Sequence, residues 1–312
     1  MTALAPSTLR AYTKRLATFK TYYEFSGKGW KHLDGTDAEP KKFDIQEHEN
    51  NINYIRQSAR FANCETRKGY INTLLHFSKQ YPDSYKAYHE YFQEVKEECN
   101  KRAKEQKLPP ARQEKYLTKD ELIEAYNTCL GNYLASGNNY YDHLILALYI
   151  VQPPVRADYA GMKCLKPDSV EHFLSVDKQS NFAVIDEKSY KNSYFIFQTY
   201  KTAKTYGIAK IEMEHPVWEI LKEHAYDKRH SEVLPSWYDS KTLAREVSNI
   251  LFRYTGKECS IGLIRHAWVF DLYKTNPTIK QKEDLAKKML HSVAVQELYR
   301  TAESLEELDI NS

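Results

Sequence analysis

The sequence predicts a mainly helical protein of two domains, with a small antiparallel β-sheet in the second domain only. Ten glycines and eleven prolines among 312 residues are few, which favours helices over a turn-rich β architecture. Apolar residues recur at helical spacing on both sides of a polar, basic stretch near residues 100–116. Short β-branched and aromatic runs cluster between residues 181 and 213, and they indicate the sheet.

Four helices are predicted in the amino-terminal domain, over residues 1–105. Ser7 is a candidate N-cap for the first helix, because apolar positions follow it at helical spacing. The second helix is expected to open at Asp44 and the third at about Glu65. The fourth carries apolar side chains at alternating steps of three and four, which we interpret as core positions: Tyr85, Tyr88, Phe92, Val95 and Cys99.

Residues 106–116 are predicted to be a linker, because they are polar, basic and interrupted by two consecutive prolines. The second domain is predicted over residues 117–300. Thr118 and Glu121 have the spacing of a capping box, which indicates the start of its first helix.

A nearly all-apolar helix is expected at residues 141–151, and its composition indicates that it is buried. It should stop before two prolines, immediately ahead of Arg156. Three strands are predicted after it, at residues 181–185, 194–198 and 208–213. Helical periodicity then returns and continues to Tyr299.

The cysteines and the apolar runs point to a cell compartment. Five cysteines lie far apart without a CxxC pair, which argues against a disulfide framework or a zinc site and for a reducing compartment. The chain starts without the apolar run of a signal peptide, and no stretch of about 18 apolar residues occurs. We therefore expect a soluble intracellular protein with no membrane partner.

Basic residues are concentrated toward the amino terminus. Residues 1–115 contain 21 Lys and Arg against 15 Asp and Glu, whereas residues 116–300 contain 24 against 23. Such a region is typical of a protein that binds phosphates, although ordinary solvated surfaces reach the same balance. Arg56, Arg67 and Lys68 are the candidate phosphate contacts.

Three basic residues of the second domain stand out by their position. Arg156 directly follows the apolar helix, and Lys201 lies in TYKTAKTYG, between two predicted strands. Arg265 lies in the apolar segment IGLIRHAWVF, where a guanidinium is costly to bury unless it meets an anion. For either arginine alone, an ion pair with Asp158 or Asp271 is the alternative interpretation.

Taken in order, these residues form a recognisable series. The series is Arg156, Lys201, Arg265-His266, His291-Ser292 and Tyr299. It resembles the tyrosine recombinase (phage-integrase) family, whose catalytic domain presents Arg, Lys, a His-x-x-Arg-His box, a Leu-Gly-His-Ser box and a nucleophilic Tyr. The resemblance covers roughly residues 116–300. The segment PPVRADY further resembles the arginine box of integrases from large DNA viruses and related mobile elements of eukaryotes.

The resemblance implies a site-specific recombinase or integrase that cuts and rejoins DNA through a 3′-phosphotyrosyl intermediate. Tyr299 would be the nucleophile. Arg156 and Arg265 would bind the non-bridging oxygens of the transition state, since paired arginines suit its negative charge. His291 would bond the phosphate or assist deprotonation of the tyrosine.

Lys201 would protonate the leaving 5′-oxygen, because an alkoxide leaves poorly without a proton donor. Lys204, three residues on, is the alternative for this role and a candidate DNA contact. The reaction requires no metal and no other cofactor, and the chain shows no acidic cluster suited to a metal.

The same resemblance implies an assembly. The amino-terminal helices look like the family's core-binding domain, so that the two domains would form a clamp around double-stranded DNA, as a homo-tetramer. The tail, residues 301–312, carries four carboxylates and no basic residue, with apolar Leu305, Leu308 and Ile310. It would dock on a neighbouring subunit; a frayed terminus is the alternative.

The sequence departs from the family pattern at several positions. The first histidine of the His-x-x-Arg-His box falls on Gly262, and Leu290 stands where glycine is usual before the later histidine. Tyr159 occupies the place of a common acidic residue, with Asp158 one position earlier. His266 matches the other histidine of its box, which more often has a supporting role.

Two alternative functions remain. A type IB topoisomerase runs the same tyrosyl chemistry as a monomer and relaxes supercoils. Its equivalent of Gly262 is typically a lysine, so Gly262 supports neither function, and the tail after Tyr299 favours the recombinase. A DNA-binding protein without catalysis is the other alternative, and the complete set of Arg156, Lys201, Arg265 and Tyr299 argues against it.

Overall fold

The computed structural model describes residues 5–25, 43–105, 108 and 110–299. The chain divides into two compact units, Met1–Glu105 and Gln106–Ser312. The fold is mainly helical with one small mixed four-stranded sheet. Among the residues described, no helix combines the length and the apolar character needed to cross a membrane.

Aromatic side chains build the core of the first unit. Its helices are α1 (Pro6–Phe25), α2 (His48–Gln57), α3 (Cys64–Phe77) and α4 (Pro82–Glu105). Phe19 packs against Tyr54 and Phe61, and all three rings are buried. Buried Asn51 donates to the Tyr88 hydroxyl at 2.8 Å, which ties α2 to α4. The aromatic stripe predicted on the fourth helix contributes buried Tyr88, Val95 and Cys99.

Two of the predicted helix starts were wrong. Helix α1 begins at Pro6, so Ser7 lies inside it; proline suits a first helical turn because the N–H it lacks would have no helical partner. Asp44 precedes α2 by four residues, and its carboxylate accepts from the Gln46 backbone in a turn. Asn63 caps α3, accepting from the Glu65 backbone at 2.9 Å.

The second unit holds the remaining helices. They are α5 (Pro110–Gln113), α6 (Lys119–Ser136), α7 (Tyr140–Leu146), α8 (Val170–Val176), α9 (Ala203–Tyr206), α10 (His215–Lys222), α11 (Ser240–Thr255), α12 (Ile261–Tyr273), α13 (Ile279–Lys288) and α14 (Val293–Glu297). The short helix α5 lies within the stretch predicted as a linker. The capping box at α6 is confirmed, with Thr118 and Glu121 each accepting from the other's backbone N–H.

The apolar helix predicted at residues 141–151 is buried, but it changes from α-helical to π-helical conformation along its length. After α7 the chain continues as a π-helical turn, Ala147–Val151, which ends before two prolines. The buried Tyr149 hydroxyl then donates to the Arg156 carbonyl at 3.0 Å. This bond fixes the backbone that carries Arg156 against the core.

The sheet is mixed: the three predicted strands pair antiparallel, and a fourth, parallel strand was not predicted. Strands β2 (Phe182–Val184), β3 (Tyr194–Phe197) and β4 (Ala209–Glu212) pair antiparallel in that order. Strand β1 (Lys163–Leu165) adds to β2 in parallel. Its three residues, KCL, are too short to show a strand pattern in the sequence. The β3–β4 connection carries Lys201.

Candidate active site

Arg265 is the centre of the site. It extends from α12, is 1% exposed, and is the largest of the fully buried side chains described. Its Nη1 donates to the carbonyls of Pro154, at 2.6 Å, and Met289, at 2.9 Å. Its Nε donates to the Tyr299 hydroxyl at 3.3 Å. Arg265 therefore joins three separate segments of the unit.

The described residues leave part of the hydrogen-bonding capacity of Arg265 unfilled. Among the described residues, nothing accepts a hydrogen bond from its buried Nη2. Neither Asp158 nor Asp271 forms an ion pair with it, so the ion-pair alternative from the sequence was wrong for this arginine. Burial lowers the pKa of Arg265, since desolvation disfavours the charge. A buried donor without an acceptor is costly unless a ligand supplies one.

The Tyr299 hydroxyl faces a group of positive charges. Tyr299 follows α14, and its backbone N–H donates to Gln296 at 2.8 Å. Burial raises the pKa of Tyr299, but the charges of Arg265, Arg156 and Lys201 outweigh it. That pKa therefore lies below the ordinary tyrosine value of 10.0, and a depressed pKa activates a nucleophile.

The basic residues that act on Tyr299 come from separate parts of the unit. Arg156 follows the π-helical turn, and Lys201 lies in the β3–β4 connection. The Thr202 hydroxyl donates to the Leu290 carbonyl at 3.4 Å, linking the Lys201 turn to the backbone just before His291. Lys204 lies in α9, and the lysine that chiefly influences the pKa of Tyr299 is Lys201.

His291 is buried beside Tyr299. It is 7% exposed, and its ring stands edge-on to that of Tyr299 with centroids 5.6 Å apart. Neither ring nitrogen has a hydrogen-bond partner among the described residues. Burial and the charges of Arg265 and Arg156 lower the pKa of His291 to about 3. The imidazole is therefore neutral near pH 7, with one nitrogen to donate and one to accept.

A backbone turn aims His291 at the site. Helix α13 ends in a left-handed residue, Leu290, with φ +55°. The His291 N–H bonds the Ala286 carbonyl and the Leu290 N–H bonds the Lys287 carbonyl, both at 3.1 Å. This pair of bonds is the Schellman ending of a helix, which usually places glycine at the left-handed position.

His266 has a supporting place. Its Nδ1 and the Tyr299 backbone carbonyl are 2.8 Å apart, a hydrogen bond in which the carbonyl accepts. Its ring lies 4.7 Å from the tyrosine ring. Burial lowers the pKa of His266 to about 4. His266 thus holds the backbone of Tyr299 and does not face the hydroxyl.

The acidic group near the arginines is Asp158. Burial raises its pKa, and the charges of Arg156 and Arg265 act in the opposite direction. Tyr159 is buried and packs edge-on against Tyr149 and Phe195, so it has a core role. Over the described ranges, no group of three or more His, Cys, Asp or Glu side chains could hold a metal ion.

One basic residue near the site was missed in the sequence. A side chain at Gly262 on α12 would begin 3.7 Å from the Nη2 of Arg112, which belongs to α5. Arg112 lies in a polar stretch between two prolines and a capping box, so its composition gave no sign of this position. The signal available was the glycine itself, which left space on the face of α12 that carries Arg265.

The candidate phosphate contacts of the first unit are all ion-paired. Arg56 meets Glu94 at 2.7 Å, and Arg67 meets Glu98 through two hydrogen bonds. Lys68 lies 3.7 Å from its helical neighbour Glu65. Their role in DNA binding stays a prediction. The tail, residues 301–312, lies outside the described residues.

Known proteins give this chain a weak structural likeness and no sequence match. No protein-family model matches the chain, and no curated protein matches it. Among solved structures, the chain is similar to the crystal structure of XerA recombinase, with a TM-score of 0.42 and 12% identity. The alignment covers 99% of this chain and 92% of that one. We draw no functional argument from a likeness of this size.

Proposed function

We propose that this chain is a site-specific DNA recombinase or integrase that cuts and rejoins strands through Tyr299. The observation that carries the proposal is the contact between the buried Arg265 guanidinium and the Tyr299 hydroxyl. A guanidinium bonded to a phenol, with a further N–H unpaired, is suited to a nucleophile that attacks an anionic ester.

A phosphate group would satisfy the donors that the protein leaves unpaired. Arg265 Nη2 and both nitrogens of His291 are buried without partners in the described part of the chain, and one nitrogen of the neutral His291 ring can donate. Phosphate oxygens accept charge-assisted hydrogen bonds from guanidinium groups, often two at once. The proposal therefore places the scissile phosphate between Arg265, His291 and the hydroxyl of Tyr299.

In the cleavage step, the Tyr299 oxygen forms a bond to phosphorus while the bond from phosphorus to the 5′-oxygen breaks. The tyrosine hydroxyl gives its proton to neutral His291 or, where His291 instead bonds the phosphate, to water. Arg265 and Arg156 stabilise the charge gathered on the non-bridging oxygens. Lys201 gives a proton to the leaving 5′-oxygen. Rejoining reverses these transfers.

The assembly is part of the same proposal. Double-stranded DNA is the substrate, the two units act as a clamp, and four copies act together on paired sites. Residues 301–312 would dock on a neighbouring copy through their apolar side chains.

The test uses the full chain and nicked duplexes that trap covalent intermediates. We expect wild type to form a denaturant-resistant adduct on Tyr299, located by peptide mapping. Tyr299→Phe should form none while binding DNA with nearly unchanged affinity, because the ring still packs. Tyr273→Phe is the matched control: it removes a hydroxyl that donates to Glu297 and should keep the adduct.

Persistence of the adduct in Tyr299→Phe would move the nucleophile elsewhere. Assays for relaxation of supercoils and for joining of two duplexes then distinguish the reaction type. Relaxation by a monomer that never joins duplexes would favour a type IB topoisomerase. Strand exchange between two sites would support the recombinase.

A further inference from the structure

Arg112 carries an unpaired guanidinium beside the candidate site. Arg112 is exposed on α5 and, within the part of the chain that the structure describes, its guanidinium makes no hydrogen bond and no ion pair. Its Nη2 lies 3.7 Å from the point where a side chain at Gly262 would begin. The guanidinium therefore covers the glycine in the first turn of α12.

The face that Arg112 covers is the face that holds Tyr299. Gly262, Arg265 and His266 are three and four residues apart on α12, so they share one side of the helix. Arg265 bonds the Tyr299 hydroxyl, and His266 bonds its backbone carbonyl. Arg112 thus lies about one helical turn, roughly 5.4 Å, before the residues that hold the nucleophile.

The electrostatics agree with this placement. After burial, the charge of Arg112 is the largest influence that lowers the pKa of His266. The charges that most lower the pKa of Tyr299 are instead those of Arg265, Arg156 and Lys201. The Arg112 guanidinium is therefore closely coupled to His266, while other cations act on the reacting hydroxyl.

A different arginine of the same unit, Arg253, does meet carboxylates. Arg253 on α11 pairs with Asp142 at 2.6 Å and with Glu246 at 3.6 Å. Holding a long side chain in one place costs rotamer entropy, which such a pair offsets. Arg112 lies against α12 and pairs with none of the described carboxylates, and an arriving anion would supply a partner.

We propose that Arg112 binds a phosphate of the DNA strand, next to the phosphate that Tyr299 attacks. The inference rests on the proposed function and adds a third guanidinium to the substrate-binding surface. One turn of α12 separates the two positions, a step comparable with the distance between neighbouring phosphates along a strand. Arg112 would position the strand and leave the chemistry to Arg265, Arg156 and Lys201.

The test measures affinity for duplex DNA over a range of salt concentrations. We expect Arg112→Gln to weaken binding about tenfold at low salt and to reduce the slope of log K against log salt by about one. Cleavage of saturating nicked DNA should change by less than about twofold, because a ground-state contact leaves the chemical step intact. Arg245→Gln, the same change at an exposed residue of α11, should leave the slope unchanged.

A second variant restores the positive charge lost in Arg112→Gln by placing it on α12. Gly262→Lys in the Arg112→Gln background has room for its Cβ, whose nearest neighbour besides Arg112 is the Ser260 hydroxyl at 3.6 Å. It should restore the salt slope. Lysine is also a better helix former than glycine, so the double variant should fold.

Two results would overturn the inference. An unchanged slope in Arg112→Gln would exclude the phosphate contact. A slower reaction at saturating DNA together with a reduced slope would exclude the flanking phosphate, because Arg112 would then act on the phosphate that Tyr299 attacks. The proposed function is judged separately, by the adduct on Tyr299 in wild type.

Discussion

Two groups of arginines in this protein have opposite environments. In the first unit, Arg56 and Arg67 lie near the surface, and each meets a glutamate. In the second unit, Arg265 is buried and meets two carbonyls and a phenol, with one nitrogen unpaired in the described structure. The first kind is neutralised within the fold, whereas the second retains a desolvation cost that the fold does not recover.

The contrast between paired and unpaired arginines indicates which residues are candidates for a functional role. Residues 1–115 have the surplus of basic residues, yet the candidate phosphate contacts there already have carboxylate partners. The second unit is nearly balanced in charge and holds Arg265, whose buried guanidinium has no carboxylate partner among the described residues. A missing partner is therefore a more specific indicator than net charge.

The largest effect is expected at Arg265. Arg265→Ala should raise the activation free energy of cleavage by about 3 kcal/mol or more, because it removes a donor to the transition state. The cleavage rate should therefore fall roughly a hundredfold. Single-turnover cleavage of saturating nicked DNA measures this. Arg253→Ala, at an arginine paired with Asp142, is the control and should reduce stability without slowing cleavage. Equal losses of cleavage rate in both variants would contradict the distinction between the unpaired Arg265 and the paired Arg253.

Lys119 adds a third kind of cation to the comparison, one that is partly buried and has no carboxylate partner among the described residues. Its Nζ donates to the Ile150 carbonyl at 2.9 Å and lies 3.0 Å from the centre of the Trp268 ring. Burial lowers the pKa of Lys119 from its ordinary value of 10.5 to about 7, although the charge of Asp271 acts the other way. Between these two pH values, the unfolded chain holds a proton that the folded chain does not.

The free energy of unfolding should therefore rise with pH between about 7 and 10.5 through Lys119, by at most about 1.4 kcal/mol per pH unit. Below pH 7 the full cost of the buried charge remains. Lys119→Met should remove this rise, as measured by denaturant unfolding at a series of pH values. Lys257→Met, at a lysine paired with Glu121, should keep it. A rise retained in Lys119→Met would contradict the assignment.

The smallest effect is expected in the first unit. If Arg56 exchanges Glu94 for a phosphate, Arg56→Ala should reduce the salt slope of DNA binding by about one. Glu94→Gln frees the guanidinium and should strengthen binding slightly, since no ion pair has to open. If neither variant changes binding, Arg56 is a structural residue and the contrast between the two groups is complete.

The sequence predicted those features that local chemistry determines. The capping box at Thr118 and the charged residue in an apolar helix at Arg265 were visible in short segments. The parallel strand β1 was missed, because its three residues gain their conformation from pairing with β2. Arg112 and Lys119 were missed because their environments come from segments far along the chain.

The left-handed backbone conformation of Leu290 affects how a sequence motif for this turn should be defined. Its φ of +55° costs about 1 kcal/mol for a residue with a side chain, and the side chain is 5% exposed, so apolar burial offsets the cost. A sequence motif that requires the usual glycine at this position scores Leu290 as a mismatch. A structural motif defined by backbone dihedral angles scores the same residue as a match. The property that aims the histidine at the tyrosine is a torsion angle, and more than one residue can encode it.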